Sequence, residues 1–152
     1  MISITQKTLQ DLEFNTVLET IASRCNTDIG EAKALAITPF KNKEELLINL
    51  KQTSEYLSSF SNNNAIPNHG FENINYELKF LAIEDSFLEV GSFKKIANLS
   101  ETAITLIQFL KKFEDYYPNL YQKASQIDIV KLILLRIDEV VDKFGIIKDN
   151  AS

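Results

Sequence analysis

The chain carries one His and one Cys in 152 residues, so imidazole or thiolate chemistry would have to rest on His69 or Cys25. A carboxylate metal site in a helical bundle asks for Glu-x-x-His pairs facing inward. Ile66, not Glu, stands three residues before His69, which lies in the polar run SNNNAIPNHG from Ser61 to Gly70; His69 reads as a loop residue, not a ligand or base. Cys25 follows Arg24 near a helix end, a neighbour that could lower a thiol pKa, but it also fits as a small packing residue. A zinc centre built on His or Cys would need ligands this chain lacks. The acidic pairs Glu84-Asp85 and Glu114-Asp115 suggest acid–base work, yet glycosidase chemistry needs carboxylates facing each other across a cleft. Sequence neighbours do not point that way, so solvated helix ends are the better reading. Lys94-Lys95 and Lys111-Lys112 could touch phosphates. On one helix Lys94 and Lys112 would share a face about 27 Å apart, which reads as solvated surface on an acidic chain. Tyr116, Tyr117 and Tyr121 could stack on bases, but at a helix–loop junction they pack. Four scattered glycines (Gly30, Gly70, Gly91, Gly145) build neither a Walker A loop nor a dinucleotide fingerprint. No catalytic, cofactor-binding or metal-ligating residue is assigned.

The elements that would position any site are helical. Only four Gly and three Pro interrupt the chain, which favours long helices over short strands joined by turns. The segment from Thr5 to Arg24 divides into two pieces, with Asn15 as a cap and Phe14 as a staple for a helix carrying Val17, Leu18, Ile21 and Ala22. A helix from Asp28 to Ile37 is stopped by Thr38 and Pro39. Asn42-Lys43-Glu44-Glu45 resembles a capping box. Leu46, Leu50, Thr53, Leu57 and Phe60 then form one helical stripe. Residues 61–70 form an exposed loop, Asn73 to Phe80 a short helix, and Leu81 to Phe87 an ambiguous, extended-looking segment. The longest helix runs from about Glu89 to Glu114, with Phe93, Ile96, Ala97, Ala103, Ile104, Ile107 and Leu110 on its apolar side. At about 37 Å it would cross a domain whose radius of gyration is about 15 Å.

The last helix, from about Ile127 to Phe144, carries a stripe of Val130, Ile133, Ile137, Val140, Val141 and Phe144. A second apolar face of Ile129, Leu132 and Leu135 is more than a small free-standing bundle covers easily. Two readings compete for it: central burial comes first, and an interface to further chain is the second, which the end at Asn150-Ala151-Ser152 raises. The fold class expected is all-α, a multi-helix bundle with one long helix, in a single domain over 1–152.

Composition narrows the class further. With 45% hydrophobic residues, 10 Phe and 5 Tyr, the chain can bury roughly 70% of its unfolded surface. One Cys excludes an internal disulfide framework and suits a reducing cytosol. No apolar run reaches the ~18 residues of a membrane span, and Met1 to Gln10 has no signal-peptide character. A formal charge of −5 argues against this chain alone gripping a phosphate backbone.

Two stretches carry a family resemblance. Thr8-Leu9-Gln10-Asp11-Leu12-Glu13-Phe14 looks like the T-x-x-x-L-E-(L/F) opening of the core domain in MutS-type ATPases. Thr27-Asp28-Ile29-Gly30, Thr38-Pro39-Phe40, Glu44-Glu45-Leu46-Leu47 and Thr53-Ser54-Glu55-Tyr56-Leu57 follow in that family's order. The end, Phe144-Gly145-Ile146-Ile147-Lys148-Asp149-Asn150-Ala151-Ser152, is similar to the G-x-(I/V)-x-D-x-A-S stretch of the bacterial MutS branch that has no mismatch-recognition domain. The middle, from Gly70-Phe71-Glu72-Asn73-Ile74 to Leu88, follows the same branch, with Asn73 where Asp is usual. Proteins of that branch begin directly with the core domain, as this chain does at Met1, and often end in a small nuclease domain.

The resemblance implies a catalytically silent core (lever-base) domain, the N-terminal fragment of a longer DNA-repair or recombination-control ATPase. It would link DNA-contacting lever helices to a downstream P-loop domain that binds ATP and Mg²⁺, transmitting nucleotide state as rigid-body movement. The implied partners are the rest of the polypeptide, DNA through the full-length protein, a second copy in a homodimer, and the ribosome; the implied compartment is the cytoplasm, without a membrane. Recombination intermediates, mismatches and stalled ribosomes are the substrates it admits. Two other readings fit the residues: a self-contained helical interaction module binding a partner helix through residues 127–144, and a small enzyme with a carboxylate site including Glu84 and Asp85.

Overall fold

The computed structural model describes residues 4–128, 130–149 and 151. Its regular structure there is all-helical, with one isolated antiparallel bridge between Val141 and Ile147 among the described residues. The chain forms two compact units, Met1–Lys43 and Glu44–Ser152. No helix among the described residues is long and apolar enough to cross a membrane.

The first unit holds α1 (Gln6–Asp11), α2 (Phe14–Ala22) and α3 (Asp28–Leu35). Thr5 caps α1, its hydroxyl accepting from the Thr8 N–H at 3.2 Å. The division between α1 and α2 is made by Glu13, whose φ of 51° places it in the left-handed region. Asn15 is therefore not the cap expected from the sequence; α2 already starts at Phe14, and Asn15 lies within its first turn. Thr27 caps α3, its Oγ1 accepting from the Gly30 N–H at 3.0 Å. A Cβ on Gly30 would meet that same Oγ1 at 3.0 Å, which gives the Thr-x-x-Gly spacing a local physical reason. Asp28 and Glu31 in the first turn suit the helix dipole. Helix α3 ends at Leu35, ahead of the Thr38-Pro39 stop. Among the described residues of this unit, Leu18 and Ala22 of α2 and Ala34 of α3 are the buried apolar ones.

The second unit holds α4 (Lys43–Ser58), α5 (Asn75–Leu81), α6 (Val90–Lys112), α7 (Pro118–Ala124) and α8 (Lys131–Val140). Helix α6, 23 residues long, spans about 34 Å and connects two buried clusters. Near its start Ile96 packs with Ile74, Ile137 of α8 and Val141, flanked by Leu88, Val90 and Phe93. Near its end Leu110 packs with Tyr117 and with Ala124 of α7, flanked by Ile66, Ile107 and Phe113. Pro118 opens α7 at the first turn, where its missing N–H costs nothing.

Helix α8 is shorter than the predicted span from Ile127 to Phe144. At its start the β-branched Ile127 and Val130 make a poor nucleus, and Val130 sits at φ −93°, ψ 81°, outside the helix. At its end Val141 turns extended and pairs with Ile147. The Asp142 N–H donates to the Ile146 carbonyl at 2.8 Å and the Lys148 N–H to the Val140 carbonyl at 2.9 Å. Of the segment from Leu81 to Phe87, Leu81 closes α5 and residues 82–87 are turn and loop rather than strand, with Asp85 at φ 58°.

Candidate functional site

Helix α4 makes its contacts on a side away from its hydrophobic stripe. Gln52, Glu55, Tyr56 and Ser59 recur at helical spacing on one side, and these make the helix's contacts within its unit. The Gln52 amide donates to the Asn119 carbonyl at 3.4 Å. The Glu55 carboxylate accepts from the backbone N–H groups of Asn119 and Leu120 at 3.0 and 2.9 Å, so a side chain of α4 caps α7. The Tyr56 hydroxyl meets His69 Nε2 at 3.3 Å. Ser59, just past the helix, is buried and donates to the Tyr56 carbonyl at 2.7 Å. The predicted stripe lies about 130° round the helix from that side and stays exposed: Leu50 is 54%, Leu57 60% and Phe60 71% accessible. The stripe is thus not the buried face of the helix.

Helix α8 repeats the pattern. Of its predicted stripe only Ile137 and the following Val141 are buried; Val130, Ile133, Val140 and Phe144 are exposed. Leu132 and Leu135 of the second apolar face are each 59% accessible, so central burial is excluded for them, while Ile129 lies outside the described residues. Between α6 and the entry to α8 runs a groove lined mainly by Ala103, Ile104, Ile107, Ile127, Val130 and Ile133.

The residues singled out for chemistry do not converge. His69 is held as a loop strut, its Nδ1 3.0 Å from the Pro67 carbonyl. Cys25 is half-buried and donates to the Ile21 carbonyl at 3.5 Å. Glu84, Asp85, Glu114 and Asp115 are all exposed. Among the described residues no three His, Cys, Asp or Glu side chains gather as metal ligands would. Tyr117 is fully buried, its hydroxyl donating to the Asn64 carbonyl and accepting from Asn62 Nδ2 at 3.2 Å. The loop of residues 61–70 is thus tied to the end of α6 and is half-buried at every second position or so, where the sequence reads as exposed.

Two charged groups surface only in the structure. Glu77 of α5 is buried, and Lys95 of α6 reaches its Oε1 at 3.4 Å and Glu72 at 3.5 Å. Lys95 is therefore a structural ion-pair partner rather than free surface. The hydrogen bond and charge of Glu77, then the charge of Glu72, hold its ammonium above the ordinary lysine range. The other Glu77 oxygen is buried without a hydrogen-bond partner among the described residues. Asp142 Oδ1 accepts from the N–H groups of Phe144 and Ile146, each at 2.9 Å. The Ile146 N–H first, with Phe144 and Gly145, holds its carboxyl below the usual aspartate range.

The arrangement defines a helical scaffold with polar internal joints and apolar outer faces. No family model matches the chain. It is 26% identical over 149 residues to the endonuclease MutS2 of Alkaliphilus oremlandii, 24% over 147 residues to that of Pelotomaculum thermopropionicum, and 25% over 161 residues to that of Staphylococcus aureus strain MRSA252. Each match covers 97% of this chain and 19% of the relative. The resemblance to the MutS family read from the sequence therefore holds across nearly the whole chain, which spans about a fifth of the length of the curated relatives it matches.

Proposed function

We propose that the chain is a non-catalytic helical core region of a MutS-like DNA-repair or recombination-control protein. Its task is to connect DNA-contacting lever helices to a P-loop ATPase elsewhere in the polypeptide. The observation that carries this reading is the orientation of α4. A helix that satisfies its polar side within its own unit and leaves Leu46, Leu50, Leu57 and Phe60 outside is built to be covered by more protein. The similarity to proteins of about five times its length, all named endonuclease MutS2, supports the same reading.

In this account ATP and Mg²⁺ bind downstream, and any nuclease activity of the kind named for the relatives resides outside these 152 residues. DNA is contacted through the full-length protein, which acts as a homodimer in the cytoplasm, with branched DNA, mismatches or ribosomes as its substrates. The core region contributes rigid joints, such as Glu55 to α7, through which a movement at one end is passed to the other. The test is ATP hydrolysis and branched-DNA binding by the 152-residue chain and by the full-length protein, side by side at fixed salt. Activity confined to the full-length protein supports a transmitting core. Hydrolysis by the short chain overturns it.

A further inference from the structure

We propose that the cleft between α5 and the start of α6 docks an arginine side chain presented by a partner protein. The cleft is lined by Tyr76, Phe80, Phe87, Leu88, Glu89 and Ser92. Tyr76 and Phe80, one turn apart on α5, stack with ring centroids 5.6 Å apart and planes 21° apart. They offer a continuous aromatic face. Phe87 is 83% accessible, an unusual degree for a ring of that size.

Phe87 is held there by the chain on both sides of it. Before it, Asp85 adopts the left-handed conformation and the Ser86 hydroxyl donates to the Phe80 carbonyl at 2.6 Å. After it, Leu88 and Val90 pack against the cluster of Ile74 and Ile96. The backbone is thus anchored on either side while the ring stays in solvent.

Charge selects the occupant. Of the residues that line the cleft, Glu89 is the charged one. Among the described residues the ion pairs are those of Lys95 and Arg136, so Glu89 is not neutralised by a salt bridge. Glu89 stands at the N-cap of α6, yet its side chain makes no capping hydrogen bond; it remains at the cleft wall as an acceptor. A planar guanidinium satisfies both features at once, stacking on an aromatic face while donating to a carboxylate. A phosphate or a nucleic acid backbone would meet the negative charge of Glu89, and a purely apolar side chain would leave Glu89 unused.

The test is a chemical-shift titration of the isotope-labelled chain with the peptide acetyl-Gly-Arg-Gly-amide and with its citrulline isostere, which keeps the shape and removes the charge. The expected result is saturable shifts at Phe87, Ser92 and the Tyr76 ring, with a millimolar dissociation constant typical of one side chain. Binding should weaken by about fivefold or more for citrulline and for Glu89→Gln, as a charge-assisted contact becomes neutral, and Phe87→Leu should weaken it further without altering the circular dichroism spectrum. Equal binding of the citrulline peptide, unchanged binding by Glu89→Gln, or shifts scattered away from the cleft would overturn the proposal. The outcome is independent of whether the chain is a MutS core region, because the cleft is read in the 152-residue chain itself.

Discussion

Glu55 and Asn119, 64 positions apart, are joined by the Glu55 carboxylate accepting from the Asn119 backbone N–H at 3.0 Å. With the Leu120 N–H at 2.9 Å this closes two of the donors that the first turn of any helix leaves open. A carboxylate there also meets the positive end of the helix dipole. Glu55→Ala should destabilise the chain by about 2 kcal/mol, the upper range for loss of a cap, and Glu55→Gln by about half as much. Urea unfolding followed by circular dichroism measures both. A loss confined to the last few tenths of a kcal/mol for Glu55→Ala would mean that α4 and α7 are held by other contacts.

The outward leucines should tolerate charge. Leu132→Asp and Leu135→Asp, and Leu57→Asp on α4, are expected to cost less than about 1 kcal/mol, as surface substitutions do. Ile137→Ala, which removes a buried side chain from the cluster with Ile96 and Val141, should cost about 2–4 kcal/mol. The contrast is read from unfolding midpoints at a common slope.

Lys95 gives a pH dependence with a defined sign. Glu77 and Glu72 hold its ammonium above the ordinary lysine range, so the folded state binds the proton more tightly than the unfolded state. That contribution is complete below the unfolded lysine pKa and is lost as pH rises through the folded one. Wild type should therefore lose stability in the alkaline range by a step that Lys95→Met lacks. Lys95→Met should also be less stable than Lys94→Met at neutral pH, because it leaves the buried Glu77 carboxylate without its cation.

The turn after α8 answers at the other end of the scale. Backbone N–H groups hold Asp142 below the usual aspartate range, so its contribution is complete above the unfolded pKa and is lost as pH falls through the lowered folded value. The Asp142 carboxyl resonance should titrate below that of an exposed aspartate, and Asp142→Ala should abolish the protection of the Ile146 amide from hydrogen exchange. Gly145→Ala tests the same turn: φ is 80° there, and a Cβ would meet Lys94 Cδ at 3.0 Å. About 1–2 kcal/mol of destabilisation is expected.

Much of this architecture can be read from residue spacing. The long helix, predicted from Glu89 to Glu114, runs over Val90–Lys112, because apolar residues recur there at helical spacing and no Gly or Pro breaks its interior after Gly91. Helix existence is a local property and the sequence states it well. Which face is buried is a tertiary property. In α4 the apolar stripe marks the helix but not its buried face, because Glu55, Gln52 and Tyr56 have specific partners in α7 and around His69, and those partners are 13 to more than 60 residues away. The shortened α8 has the same cause: Val141 finds a partner in Ile147, a pairing that helical periodicity cannot register. The pairing of Lys95 with Glu77 is not visible in sequence either, since it joins two helices across a loop.

The outer faces of α4 and α8 carry the central claim, and thiol labelling at one position tests it directly. With Cys25→Ser as background, Leu57→Cys is introduced into the 152-residue chain and into the full-length protein, and the rate of reaction with a maleimide is compared. The account predicts rapid labelling in the short chain and labelling at least tenfold slower in the full-length protein, about 1.4 kcal/mol of protection. Equal rates in both would show that the α4 stripe faces water in the whole protein and would contradict the core-region reading.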